Sequence, residues 1–129
     1  INAFLDKVLA DEGLGADRLA LVGFSQGTMM ALAVAPQRDE EIAGVVGFSG
    51  RLLDAENLTP ARVKPPVLLI HGDQDPVVPF ESMGIAGEAL QKAGFTVYGH
   101  VMKGTGHGIS PDGLSVALAF LKERFAAGS

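Results

Sequence analysis

Cysteine and tryptophan are both missing from this 129-residue sequence, and there is a single tyrosine. Without cysteine the chain has no disulfide and no thiolate with which to hold zinc or an iron–sulfur cluster. A fold that needs no disulfide is compatible with a reducing compartment, and a cytoplasmic location is expected. Positive charge is also scarce. Ten Lys and Arg against fifteen Asp and Glu leave a net charge of −5, so nothing favours a nucleic-acid backbone or an anionic membrane surface. No apolar run approaches the ~20 residues of a membrane-spanning helix, and no signal peptide or lipidation motif is visible. The three histidines and the aspartates show no metal-ligand spacing. Neither a metal nor a cofactor is expected.

What the chain does have is apolar residues, 47% of the total, at a mean hydropathy of +0.28. That is enough for the core of one domain, taken as residues 1–129, and it leaves an excess that points to apolar surface in need of a partner. The sequence opens at Ile1, inside a helical pattern (Ile1, Phe4, Leu5, Val8 and Leu9 share one face), as a piece of something longer would.

Beyond Gly13 and Gly15 come four apolar runs of strand length. Leu19-Ala20-Leu21-Val22 reads as a buried strand, as do Ile42–Phe48 and Val67–His71; Thr96–Val101 is the fourth. Helices are expected over Thr28–Val34, apolar on nearly every side with Met29 and Met30 in the core, and from the loop at Pro79 to about Ala93. Ser110 and Pro111 read as cap and first position of a last helix whose inner face is Leu114, Ala117, Leu118, Leu121 and Phe125. Between the second and third strands lies a polar loop through Asp54, Glu56 and Asn57, with Pro60, Pro65 and Pro66 against any long helix. Alternation of this kind predicts a three-layer α/β/α fold with a mainly parallel sheet.

In a sheet of that class, chemistry collects on the loops after the carboxyl ends of the strands. Gly23-Phe24-Ser25-Gln26-Gly27 stands between the first strand and its helix, the setting of a nucleophile elbow, in which a sharp turn lifts the serine clear. Gly23 and Gly27 are there to let the flanking backbones approach. A serine hydroxyl is a weak nucleophile until an imidazole takes its proton, and the imidazole needs a carboxylate to fix its tautomer. Asp73 and Asp75 follow the third strand, and His107 follows the fourth. The order Ser25, Asp75, His107 is that of α/β-hydrolases.

Four segments carry a closer resemblance: the elbow, Phe48-Ser49-Gly50, His71-Gly72-Asp73-Gln74-Asp75-Pro76-Val77-Val78-Pro79, and Gly104-Thr105-Gly106-His107. Together they resemble the phospholipase/carboxylesterase branch of the α/β-hydrolases, which includes acyl-protein thioesterases and bacterial carboxylesterases. The resemblance implies a partial α/β-hydrolase fold, its C-terminal portion, hydrolysing a small acyl ester or thioester. It makes Ser25 the nucleophile, His107 the base and Asp75 rather than Asp73 the acid, leaving Asp73 to bond local backbone. The Gln26 N–H becomes an oxyanion donor, and Val77, Val78 and Ile109 flank the acid and base where an acyl pocket would lie. His71 is expected to be a hydrogen-bonded structural residue and His100 structural or solvated.

The family's earlier strands are missing from this sequence, and with them a second oxyanion donor, a loss worth ~10²–10³ in rate. The alternative is therefore a catalytically impaired fragment. The same absence leaves Leu19–Gly23 at a sheet edge and Leu118, Leu121 or Phe125 partly bare, so a homo-oligomer is expected. Because fold does not fix reaction, a lyase or peptidase is the remaining rival.

Overall fold

The computed structural model describes residues 19–38, 40–52 and 61–127. The expected N-terminal helix and the loop around Asp54, Glu56 and Asn57 lie outside the described residues. Four parallel strands, β1 (Ala20–Phe24), β2 (Gly44–Phe48), β3 (Val67–Gly72) and β4 (Val97–Met102), lie in the order in which they occur along the chain. Helix α1 (Gln26–Val34) follows β1 and runs into a 3₁₀ turn at Ala35–Gln37. Helix α2 (Glu81–Lys92) joins β3 to β4, and α3 (Pro111–Ala127) follows β4.

The two inner strands are buried at every position, as their apolar runs require, because helices cover both faces of the sheet. On one face Ala31 and Leu32 of α1 and Ala86 and Leu90 of α2 meet Val45, Val67 and Leu69. On the other, Ala117 of α3 meets Val46, Phe48, Leu68, Ile70 and Met102. Three expectations need correction. First, β1 is not the buried strand that its apolar run suggests: it is the edge of the described sheet, as the family's missing strands imply, with Val22 57% exposed. Second, Met30 is exposed rather than core, because it lies beside that edge. Leu21, Val22, Gly27, Met30, Ala31 and Val34 line an open apolar groove of about 170 Å³ there. Third, Leu114 is exposed rather than on the inner face, and so is Leu118, one of the residues expected to be left partly bare. α3 instead sets Ala117, Val116, Phe120 and Leu121 against the sheet.

Parallel register brings the chemistry-bearing loops to one end. Phe24, Phe48 and Ile70 are aligned across β1, β2 and β3. The ladder then continues past the strands through Ser25 N–H to Phe48 O at 2.9 Å and Ser49 N–H to Ile70 O at 2.8 Å.

Candidate active site

Ser25 sits between β1 and α1 with φ 55° and ψ −112°, a backbone conformation that costs a side-chain-bearing residue free energy and persists only where its surroundings impose it. Here they do. A Cβ on Gly23 would stand 2.4 Å from the backbone carbon of Gly27, so the two arms of the turn touch and glycine at 23 is obligatory. Gly27 is different: a Cβ there would meet nothing within 4 Å, and the expected steric need falls on one glycine, not two. Thr28 pins the turn from behind by donating its hydroxyl to Phe48 O at 2.8 Å. The Gln26 N–H stands at the first position of α1, where an α-helix offers no internal acceptor.

The acid loop is ordered by its own carboxylate. Asp75 Oδ1 accepts the backbone N–H groups of Val77 at 2.8 Å and Val78 at 2.9 Å, and its side chain is 0% exposed. Oδ2 lies 2.8 Å from His107 Nδ1. Burial alone would raise the carboxyl's pKa, but the hydrogen bond to His107 and those from Val78 and Val77 outweigh it, and the group titrates below its ordinary value. Asp73 has another task, though not the local one expected. Its carboxylate accepts Gly104 N–H at 2.8 Å and so ties the acid loop to the loop that carries His107. Gly72 keeps those loops in contact, since a Cβ there would fall 2.2 Å from Thr105 O.

His107 completes the line: Nε2 is 3.1 Å from Ser25 Oγ while Nδ1 faces Asp75. The Phe24 ring lies 4.9 Å from the imidazole, tilted by 46°. Three side chains 82 residues apart in sequence at their extremes thus form one hydrogen-bonded row. A row of serine, imidazole and buried carboxylate can draw the hydroxyl proton onto nitrogen and stabilise the cation that results.

Of the residues expected to border a pocket, Val77 and Ile109 are exposed beside the row, at 65% and 47%. Val78 is a correction: at 6% exposure its side chain is inside, and it acts through its backbone. His71 is buried and hydrogen-bonded, with Nε2 2.9 Å from Val78 O. His100 has a carboxylate neighbour that sequence proximity concealed, Asp112 Oδ2 at 2.7 Å. Also unforeseen is the second strained residue, Ser49, with φ 51°. Its hydroxyl donates to Gly108 O at 3.4 Å, next to His107; the only signal was its place at the end of β2, in the position that Ser25 holds after β1.

A parallel α/β sheet with a strained serine at a strand–helix turn and a buried aspartate paired with a histidine beyond it is the layout of an α/β-hydrolase. Comparison with known proteins gives the family. Residues 1–124 match the phospholipase/carboxylesterase family, and the chain belongs to it. Acyl-protein thioesterase 1 of Gibberella zeae is 33% identical over 120 residues, covering 88% of this chain and 51% of that protein. The crystal structure of esterase PE8 superposes with a TM-score of 0.89 at 44% identity, over 95% of this chain and 57% of that one. SOBER1 of Arabidopsis thaliana gives 0.85 at 28% identity, over 95% of this chain and 60% of that one. The chain spans about half the length of the curated relative named here, and the fold is a partial α/β-hydrolase fold.

Proposed function

We propose that the chain is a single domain, the C-terminal portion of a serine hydrolase that cleaves carboxylic esters or thioesters through an acyl-enzyme. The observation that carries this is His107 standing between Ser25 Oγ at 3.1 Å and Asp75 Oδ2 at 2.8 Å. Ser25 Oγ attacks the acyl carbon while His107 Nε2 takes its proton. Asp75 holds Nδ1–H and stabilises the imidazolium. The Gln26 N–H, helped by the positive end of α1, receives the developing oxyanion. His107 then protonates the leaving alcohol or thiol, and a water activated by the same nitrogen releases the acid. Val77 and Ile109 offer apolar surface to the acyl group. The reaction draws on no cofactor, and the expected location is cytoplasmic; among the described residues no helix is long and apolar enough to cross a membrane.

A serine-directed phosphonate tests the assignment. Stoichiometric labelling of Ser25, abolished in Ser25→Ala with the fold retained, is the expected result; an unlabelled wild-type chain overturns it. Short and long p-nitrophenyl esters beside peptide anilides separate an esterase from a peptidase.

A second reading is a catalytically impaired module that associates with itself. It is favoured by the position of β1 at the edge of the described sheet and the apolar groove beside it, an uncharged edge of the kind that pairs with another copy. Light scattering is expected to show a dimer that Val22→Lys converts to monomer. A monodisperse wild-type monomer at micromolar concentration removes this reading.

A further inference from the structure

Among the described residues, His71 is the one buried titratable side chain near the row that the proposed reaction leaves unused. At 1% exposure it stands next to last in β3, paired in register with Val101 of β4, so its backbone is held within the sheet ladder. Its Nε2 lies 2.9 Å from Val78 O. A carbonyl can only accept, so Nε2 carries the proton. The same nitrogen is 3.4 Å from Asp75 Oδ2, the oxygen that faces His107. The Phe80 ring, 6.1 Å away and nearly edge-on at 70°, closes the other side.

Val78 is clamped from both ends. Its N–H is spent on Asp75 Oδ1 at 2.9 Å and its carbonyl on His71. A continuous line of contacts thus runs from β3 through the His71 ring and the Val78 peptide to the Asp75 carboxylate, and on to His107 and Ser25. The first half of the loop at 73–79 is held by backbone bonds from Asp73 to Met102 O, Gln74 to Thr105 O and Asp75 to Gly72 O, and by the Asp73 carboxylate on Gly104 N–H; at its far end, His71 ties the Val78 carbonyl back to the strand. The loop contains two prolines and lacks regular secondary structure, and the Asp75 bonds to Val77 and Val78 lie within the loop itself.

We infer that His71 is a positioning residue: its Nε2–H fixes the Val78 carbonyl and faces Asp75 Oδ2, and so aims the carboxylate at His107. The inference rests on the reading of Asp75 as the partner of the imidazole.

The side chain that can imitate it is glutamine, whose amide N–H reaches where Nε2–H does, whereas leucine fills the space without a donor and asparagine is too short. Two readouts separate positioning from mere filling. One is the rate of Ser25 phosphonylation. His71→Leu and His71→Asn should label about tenfold more slowly or worse, the scale of losing one hydrogen bond to a charged network, while His71→Gln should remain close to wild type. The other is the proton NMR resonance of His107 Nδ1–H in the unlabelled chain, which does not depend on catalysis. It should lie far downfield in wild type and His71→Gln, and move upfield or vanish in His71→Leu. If His71→Leu does not fold, His71→Asn carries the comparison. Wild-type labelling and an unmoved resonance in His71→Leu and His71→Asn overturn the inference, as does a folded His71→Gln no better than His71→Leu. Absence of the downfield resonance in wild type overturns it as well. A wild-type chain that shows the resonance but resists the phosphonate instead counts against the hydrolase assignment, while the NMR comparison still decides the role of His71.

Discussion

Two clusters in this molecule contain a serine, an aspartate and a histidine within hydrogen-bonding reach. At the carboxyl end of the sheet, His107 stands between Ser25 and Asp75. At the start of α3, Asp112 stands between Ser110 and His100: the Ser110 hydroxyl donates to Oδ1, and His100 Nε2 lies 2.7 Å from Oδ2. The composition is the same and the connectivity is not. A hydroxyl next to an imidazole can lose its proton to a base; a hydroxyl next to a carboxylate two residues away, which also accepts Gly113 N–H at 3.3 Å, is a helix cap. Exposure differs in the same sense. The Asp75 side chain is 0% exposed and that of Asp112 is 55% exposed, so solvent screens the second pair and not the first.

The largest expected effect lies at the buried carboxylate. Asp75→Asn should slow Ser25 phosphonylation severely, toward the ~10⁴ that the same change costs in the serine-protease triad, because an amide can hold the imidazole in the wrong tautomer. Asp112→Asn should leave the labelling rate near wild type. If the two ranked the other way, the assignment of roles by connectivity would be wrong.

Acid unfolding should separate the clusters next. The folded Asp75 carboxyl titrates below its ordinary value, so its contribution to stability is present above the unfolded-state value of ~3.9 and is lost as pH falls through the lower folded-state value. Asp75→Asn should therefore flatten the acid limb of stability against pH, read by circular dichroism. Asp112 is also held below its ordinary value, by its bonds to Ser110 and His100, but its exposure should make Asp112→Asn nearly silent in the same titration. An acid limb unchanged by Asp75→Asn would contradict this.

The smallest effect should belong to Ser110→Ala. It removes a cap, which costs about 1 kcal/mol and moves Tm by a few degrees, and it should leave Ser25 labelling untouched. A labelling defect in this variant would mean that the second cluster reaches the first.

How much of this was legible beforehand follows the range of the interactions. β2 and β3 were read almost to the residue because burial on both faces writes an uninterrupted apolar run. The Ser25 turn was read because its chemistry is contiguous, and Asp75 was preferred over Asp73 through resemblance. The same apolar letters describe a covered strand and an edge, so the edge at Val22 follows only from the family's missing strands, and the exposure of Met30 beside it is not legible at all. Leu114 is misplaced on the inner face, and Leu118 is placed both there and among the bare residues, because a helix with leucines on two adjacent stripes does not declare which stripe the sheet takes. The pairing of His100 with Asp112, and of His71 with Val78, depends on how loops return to strands, and nothing in local periodicity records that.

The turn at Ser25 also has a thermodynamic side. A side-chain-bearing residue held at φ 55° is disfavoured by about 1–3 kcal/mol. Alanine in its place keeps that strain, whereas glycine relieves it, at an entropic cost of only about 0.5–1 kcal/mol on folding. Ser25→Gly should therefore melt above both Ser25→Ala and wild type while carrying no nucleophile. The most heat-stable version of this turn is then an inert one, and part of the native chain's fragility resides in the residue proposed as its nucleophile.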